Sequence, residues 1–440
     1  MSQNSLTLPT TGTVSGLQMT QNTNNALDTL NTLASGASAP ASPEAGQFWH
    51  DTTNSLLKIR SLDNTAWIPF LQLNETAYDA LPYFPGQITG SLNRIINGGM
   101  GIDQVNEGAS YALGTGSANT YSLDQWIGIC QSGTATGLTM QRVADAPPGF
   151  AWSLKVTVGT GAGSVASGDM LQIFQKIEAG NMDDLNYGSV NALPVSLSFW
   201  VKASVAGNYA VTLGNSSGTT QQLVHQFAIA TAGVWQSVMV PNIAGPQTGT
   251  WGAGINAGLN VAFTIAAGSG DQTSALDSWQ NAFLIAGTSQ TNSILTTSGA
   301  TFQITGVMLN PGPFCLPFEK RPVQQELALC QRYYEKTFNT GIAAAQNAGL
   351  GNGDVFILSN NTAAGVNFYQ WQFATRKRTA PTIVTYNPAA ANANWRDSTA
   401  SADKAVASLG STEWGAGIYV SATTTVSDNL RINITASARM

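Results

Sequence analysis

"PVSLSFWVKAS", residues 194–204, puts Val195, Leu197, Phe199 and Val201 on one side of an extended chain. An alternation of period two is the mark of a half-buried β-strand, because successive side chains leave a strand on opposite faces. "AWSLKVTVG" (151–159) does the same with Trp152, Leu154, Val156 and Val158. Six further runs follow suit: "LQIFQKI" (171–177), "NYAVTLG" (208–214), "LVHQFAIA" (223–230), "VWQSVMVP" (234–241), "LNVAFTIAAG" (259–268) and "TFQITGVMLN" (301–310). "LTMQRVA" (138–144) is a ninth candidate. So many short strands, joined by Gly-rich or polar turns, predict an all-β chain with a central jelly-roll β-sandwich over residues 94–318. Their spacing is irregular, which argues against a β-helix or a propeller.

Composition agrees. Charged residues are 10% of the 440, against roughly 25% in ordinary soluble domains, and hydrophobic residues are 43%. The missing charge is replaced by Gly, Ser, Thr, Asn and Gln, which suits strands and polar loops. Eleven Trp, sixteen Phe and eleven Tyr give ample surface to bury, so the chain as a whole is not expected to be disordered. Net charge is −6, and the basic residues are scattered apart from "RKR" at 376–378, so no basic stripe suits nucleic acid. No apolar run has the length of a membrane span, and Lys and Arg are absent from the first 57 residues, unlike a secretory signal. Synthesis and folding in a cytosol are expected.

Outside the central region, residues 1–93 read as an attachment and oligomerisation region. The first 23 residues are polar and lack periodicity. "NNALDTLNTLASG" (24–36) carries Leu27, Leu30, Leu33 and Ala34 at helical spacing, with Asn24 or Asn25 as N-cap and Gly36 as stop. So short a helix with one apolar stripe points to self-association. After a linker at 37–46, "GQFWHDTTNSLLKIRSLDNTAWIPF" (46–70) reads as a β-hairpin module. Phe48 and Trp49 open it, "DTTN" turns it, and Leu57, Ile59 and Trp67 close over it. Residues 71–90 read as a second connector.

Residues 319–440 read as a linker helix plus a second β-sandwich. In "RPVQQELALCQRYYEKTF" (321–338), Pro322 sits where a first helical residue can lack its N–H. Val323, Leu327, Cys330, Tyr334 and Phe338 then form one stripe, with Glu326, Arg332 and Glu335 off it. "DVFILSN" (354–360), "GVNFYQWQFA" (365–374), "PTIVTYN" (381–387), "GIYVSATTT" (417–425) and "LRINITASA" (430–438) supply strands, Pro381 starting one.

The chemistry-bearing residues are sparse. Three cysteines, Cys130, Cys315 and Cys330, are too few and too far apart for a disulfide framework, and read as buried thiols. With His50 and His225 as the two histidines, a zinc site is not expected, and no cofactor is implied. Cys330 lies on the helix stripe with no base beside it in sequence, so it is read as packing and not as a nucleophile. Asp183, Asp184, Asp271 and Asp277 are carboxylates a glycosidase could use, but any chain with 24 acids offers pairs. No phosphate loop, Ser-centred elbow or metal cluster appears, so no catalytic residue is assigned. Binding suits the residue types better. A sugar presents C–H faces to aromatic rings and hydroxyls to Asn, Asp and Gln. "GPQTGTWGAGINAG" offers Trp251 and Asn256, "GSGDQTSALDSWQ" offers Asp271 and Trp279, "NANWRDST" offers Trp395, and "TEWGAG" offers Trp414. The competing reading of each Trp is a packed loop anchor.

"RIINGGMGIDQ", "YSLDQWIG", "WGAGINAGLNVAFTIAAGSGDQTSALDSWQNAFL" and "TFQITGVMLNPGPFCLPFEKRPVQQELALCQRYYEK" occur in this order. As a set they resemble a module of tailed-phage appendage proteins: tail fibres, head fibres and spikes, including head spikes of phage-like gene transfer agents. The resemblance runs from about residue 24 to 440. It implies a jelly roll similar to carbohydrate-binding modules, in a homo-oligomeric virion appendage that contacts host surface glycan, capsule or lipopolysaccharide. A trimer is favoured for a fibre and a pentamer for a spike at a fivefold vertex. The N-terminal region would meet other virion proteins, with no nucleic-acid partner and no membrane insertion. "SALDSWQ" belongs to the shared pattern, so Trp279 is implied to be structural. Pro313, Phe314, Cys315 and Leu316 depart from the small residues that relatives often carry there. The pattern carries no catalytic residues. A polysaccharide depolymerase and a purely structural decoration are the rival readings.

Overall fold

The computed structural model describes residues 12–31, 34–74, 79–82, 92–116, 119–216, 220–360, 363, 367–421 and 426–440. The chain divides into two compact units, Met1–Pro85 and Gly86–Met440.

In the first unit, helix α1 spans Gly16–Asn31. It starts eight residues before the expected Asn24, inside the stretch read as an unstructured tail. The Ser15 hydroxyl accepts the Gln18 amide at 3.2 Å, which is an N-cap. Thr20, Thr23 and Thr29 then donate their hydroxyls to the carbonyls four residues back. Leu17, Met19, Leu27 and Leu30 are exposed along it, and Leu33 lies outside the described residues. Strands β1 (Phe48–Asp51), β2 (Leu56–Arg60), β3 (Trp67–Asn74) and β4 (Asp79–Pro82) form one antiparallel meander. Residues 71–74 and 79–82 are therefore strand, where a connector was expected; residues 75–78 and 83–90 of that connector lie outside the described residues. Trp67 does close over Trp49, edge to face at 5.3 Å. Leu57 and Ile59 do not join it. Trp67 pairs with Arg60 across the ladder, so it shares its face with Lys58 and Leu56, and the odd-numbered residues turn to the other side.

The second unit begins with β5 (Tyr111–Ala112), β6 (Thr120–Leu123), β7 (Trp126–Gln131), β8 (Thr139–Val143), β9 (Ser153–Thr157) and β10 (Met170–Glu178). There follow β11 (Val195–Ala203), β12 (Gly207–Gly214), β13 (Gln222–Ile229), β14 (Gln236–Ile243) and β15 (Ala257–Ala267). Three two-residue strands, β16 (Gln272–Thr273), β17 (Trp279–Gln280) and β18 (Ala286–Gly287), precede the short helix α2 (Ser293–Thr296) and β19 (Thr301–Pro311). Two sheets result, in the orders β17-β13-β12-β15-β10-β7-β6 and β14-β11-β19-β9-β8-β5. This is the expected jelly-roll β-sandwich. Its inner faces carry the alternating residues the sequence marked, with Leu154, Val156, Leu197, Phe199, Val201, Leu171, Ile173, Val261 and Phe263 all buried. Phe199 sits edge-on to Phe227 at 5.1 Å and to Phe263 at 4.9 Å.

Helix α3 (Val323–Gln331) has nine residues and uses Pro322 as its N-cap. The expected stripe is cut short. Val323 is exposed, and Tyr334 and Phe338 lie beyond the helix. The chain turns at Arg332 and Tyr333 and enters β20 (Tyr334–Lys336), because pairing there outweighs helical continuation. Cys330 is buried among Ile96, Ile102 and Tyr333, and burial pushes its thiol well above the ordinary value. The charges expected off the stripe are joints. Glu178 of β10 accepts Arg332 at 2.6 and 2.9 Å and the Tyr333 hydroxyl at 2.8 Å. Glu335, itself buried, pairs with buried Lys377 at 2.5 Å. Two members of the "RKR" run are thereby structural, since Arg378 donates to the carbonyls of Ala438 and Ile255.

The rest folds as β21 (Val355–Leu358), β22 (Phe368–Gln372), β23 (Thr382–Tyr386), β24 (Trp395–Asp397), β25 (Ala402–Lys404), β26 (Val406–Ser411), β27 (Gly415–Val420) and β28 (Asn429–Ser437). β28 pairs with β20, β21, β23 and β24, and β27 lies between β22 and β26. The two sheets close on a second core that includes Trp371, Trp395, Ile418, Ile432 and Ile434. All five expected strands are present; residues 365, 366 and 422–425 of those runs lie outside the described residues.

Candidate functional site

The loop from β14 to β15 brings Trp251 against the loop from β10 to β11. Trp251 meets Tyr187 edge to face at 5.0 Å and Trp279 at 5.5 Å. Gly188 makes this approach possible. Its φ is +85°, and a Cβ there would fall 3.0 Å from the Trp251 ring. The indole N–H of Trp251 donates to the Thr248 carbonyl at 3.2 Å, and that of Trp279 to the Ala244 carbonyl at 2.7 Å.

Beside this aromatic cluster lies a cleft of about 110 Å³, lined by Ala179, Met182, Asp183, Asn186, Tyr187, Trp251, Gly252 and Gly258. Asp183 and Asn186 are exposed at its rim. The Tyr187 hydroxyl is buried without a hydrogen-bond partner among the described residues. Burial, followed by the nearby Asp184 carboxylate, raises its pKa above the ordinary phenol value. Asp184 itself is held by Arg94 at 2.5 Å. The cleft thus offers one partly open aromatic face, a carboxylate and an amide. Apolar contact and directional hydrogen bonds can both be made there.

The other sequence-chosen residues fall apart in space. Asn256 borders the same region: its carbonyl accepts the Ala179 amide at 2.8 Å, and its side chain donates to the Ala253 carbonyl at 3.1 Å. Asp271 lies past the far end of β15, roughly 30 Å of extended strand away from Asn256. Burial raises its carboxyl pKa. Trp414 is 61% exposed, in the turn between β26 and β27, with the Arg376 guanidinium over its ring at 4.9 Å. Trp395 is a correction. It is completely buried in the second core, so it has no face to offer a ligand and is a packing residue. Asn186 and Tyr187 are not among the residues the sequence singles out, and Asp183 stands there only as a carboxylate a glycosidase could use. Their nearness to Trp251 is set by sheet topology some 65 residues apart, and "DDLNY" carries no local pattern that announces it.

No protein-family model matches the chain, and no curated protein matches it. Among solved structures, the enzymatically active domain of bacteriophage CBA120 tailspike protein 4 is 13% identical, with TM-score 0.27. That match covers 50% of this chain and 21% of the tailspike chain. The family 11 carbohydrate-binding module from Clostridium thermocellum, solved with a β-1,3-1,4-mixed-linked tetrasaccharide, is 10% identical at TM-score 0.25, covering 47% and 96%. A putative sugar-binding protein from Bacteroides thetaiotaomicron is 15% identical at TM-score 0.28, covering 50% and 99%.

Proposed function

We propose that the chain is a subunit of a virion appendage, a tail fibre or a head fibre or spike, that holds host surface polysaccharide without cleaving it. The observation that carries this reading is the Trp251 cleft, where an aromatic face stands beside the exposed Asp183 and Asn186. The sequence resemblance to phage appendage proteins supplies the particle. Subunits associate through the exposed apolar side of α1, which turns weak single-site sugar contacts into firm adsorption by avidity. Two of the carboxylates near the candidate loops serve other partners: Asp184 pairs with Arg94 and Asp277 with His225.

The test is retention of host polysaccharide by the whole chain, with product length followed by size exclusion. Retention at unchanged polymer length is expected. Trp251→Ala weakens it about tenfold, as for a buried aromatic anchor. Asp183→Asn and Asn186→Ala, which leave the aromatic cluster in place, weaken it less. Shortening of the polymer would make the protein a depolymerase. Full adsorption by particles lacking the subunit would leave it a decoration.

A further inference from the structure

A larger cavity, about 310 Å³, opens between the segment 97–102, the loop before β9 and the start of α3. Phe150, Trp152 and Phe318 form its walls, with Ile102 and Val323 between them. Phe150 and Phe318 meet edge to face at 5.0 Å, and the Arg142 guanidinium backs Trp152 at 4.5 Å. The backbone is shaped to admit these rings. Gly306, at the bulge where β19 slips against β11, has φ +61°, and a Cβ there would fall 2.5 Å from Phe150. The volume lies at the small end of the ligand-pocket range, with room for one ring and its substituents.

The polar groups on the wall divide sharply. Arg321 is spent: it donates to the carbonyls of Ile95 and Asn93 and pairs with Glu326 at 3.3 Å and Glu319 at 3.5 Å. Glu326 also accepts the Asn97 amide, and Glu319 the Asn93 amide at 2.7 Å. Asn97 spends its side chain on Ile102 and Asp124. Of the four charged side chains in the wall, Lys320 alone has no partner among the described residues, and it is exposed. The amides of Gly99 and Gly101 likewise have no acceptor among the described residues.

We infer that this cavity is a separate binding site for a single saccharide ring bearing a carboxylate. The aromatic walls take the C–H faces, the open Gly99 and Gly101 amides take hydroxyls, and Lys320 takes the acid. A plain acyl chain would bury those amides unpaired, which is costly. The inference rests on the glycan-binding reading and adds to it a preference for acidic sugar residues at chain ends or branches.

Saturation-transfer NMR on the full chain tests it with D-galacturonate, D-galactose and hexanoate. Galacturonate is expected to bind several-fold better than the other two. Val323→Trp, which fills the exposed mouth, abolishes this binding, while Trp251→Ala leaves it intact. Lys320→Gln erases the advantage of galacturonate over galactose, a loss of about three- to fivefold for an exposed charge pair. Polysaccharide retained without any monosaccharide binding would overturn the inference and leave the glycan reading standing. So would better binding of hexanoate, or loss of galacturonate in Trp251→Ala but not in Val323→Trp. Failure of the wild-type chain to retain polysaccharide or bind either sugar would remove both.

Discussion

Asp124 is buried and has no cation within pairing distance among the described residues. It accepts the Gln104 backbone amide at 2.6 Å and the Gln104 side-chain amide at 2.8 Å. Desolvation outweighs these bonds and pushes its pKa up to about 6, from an ordinary 3.8. The folded form therefore holds the proton more tightly than the unfolded one. Stability from this group is complete below about pH 4 and is lost as pH rises through 6, a difference of about 3 kcal/mol. Asp124→Asn removes the titration but can accept only one of the two Gln104 bonds. Melting temperatures across pH 4–7 are expected to show wild type losing ground to the variant as pH rises. A gap that stays constant with pH would mean that Asp124 is ionised throughout. The apolar identity of Trp395 was plain, but a loop-like neighbourhood of Asn and Ser concealed that β24 carries it into the core.

Strands with one wet face show as alternation, and β15 and β19, buried on both faces, show as long β-rich runs; the short β7 shows as neither. "PVSLSFWVKAS" alternates because its outer side meets solvent. In β7, Trp126 and Ile127 are both buried, on opposite faces of the sheet, so no alternation survives. Helix ends were the other loss. α3 stops early because β20 finds a partner in β28, a contact about a hundred residues away that local spacing cannot reveal. α1 starts at Gly16 because Ser15 caps it, and "TVSGLQ" carries that cap in its sequence. α1 is also where association is tested. Leu27 and Leu30 are 58% and 59% exposed, an apolar side that a lone helix would not keep in water. Leu27→Asn with Leu30→Asn is expected to reduce the sedimenting mass to that of one chain. The main melting transition should stay within a degree or two, because neither residue belongs to a core. An unchanged mass would place the subunit contacts elsewhere.

The whole molecule comprises two compact units. Residues 86–440 carry both sandwiches, joined by Glu178 to Arg332 and Tyr333, by Glu107 to Lys336 at 2.5 Å, and by Arg378 to the Ile255 carbonyl at 2.9 Å. A chain of 86–440 alone is expected to melt at the temperature of the full-length protein's main transition, measured by calorimetry. Its retention of polysaccharide should fall by ten- to a hundredfold, since the loss of α1 removes avidity and leaves each cleft intact. Equal retention by both chains would sever the link between α1 and adsorption.

The position of β28 in the chain has a consequence for how the protein is made. Its partners β20, β21, β23 and β24 all precede it, and the ladder from Tyr334 to Ser437 closes across about a hundred residues. On a translating ribosome the first sandwich can assemble while these strands wait with unpaired edges. Contacts of such high sequence separation form slowly, and waiting edges invite pairing with other nascent chains. Neighbouring ribosomes on one message hold those chains side by side, so the birth of the second sandwich is the step at which a subunit is most exposed to its own copies.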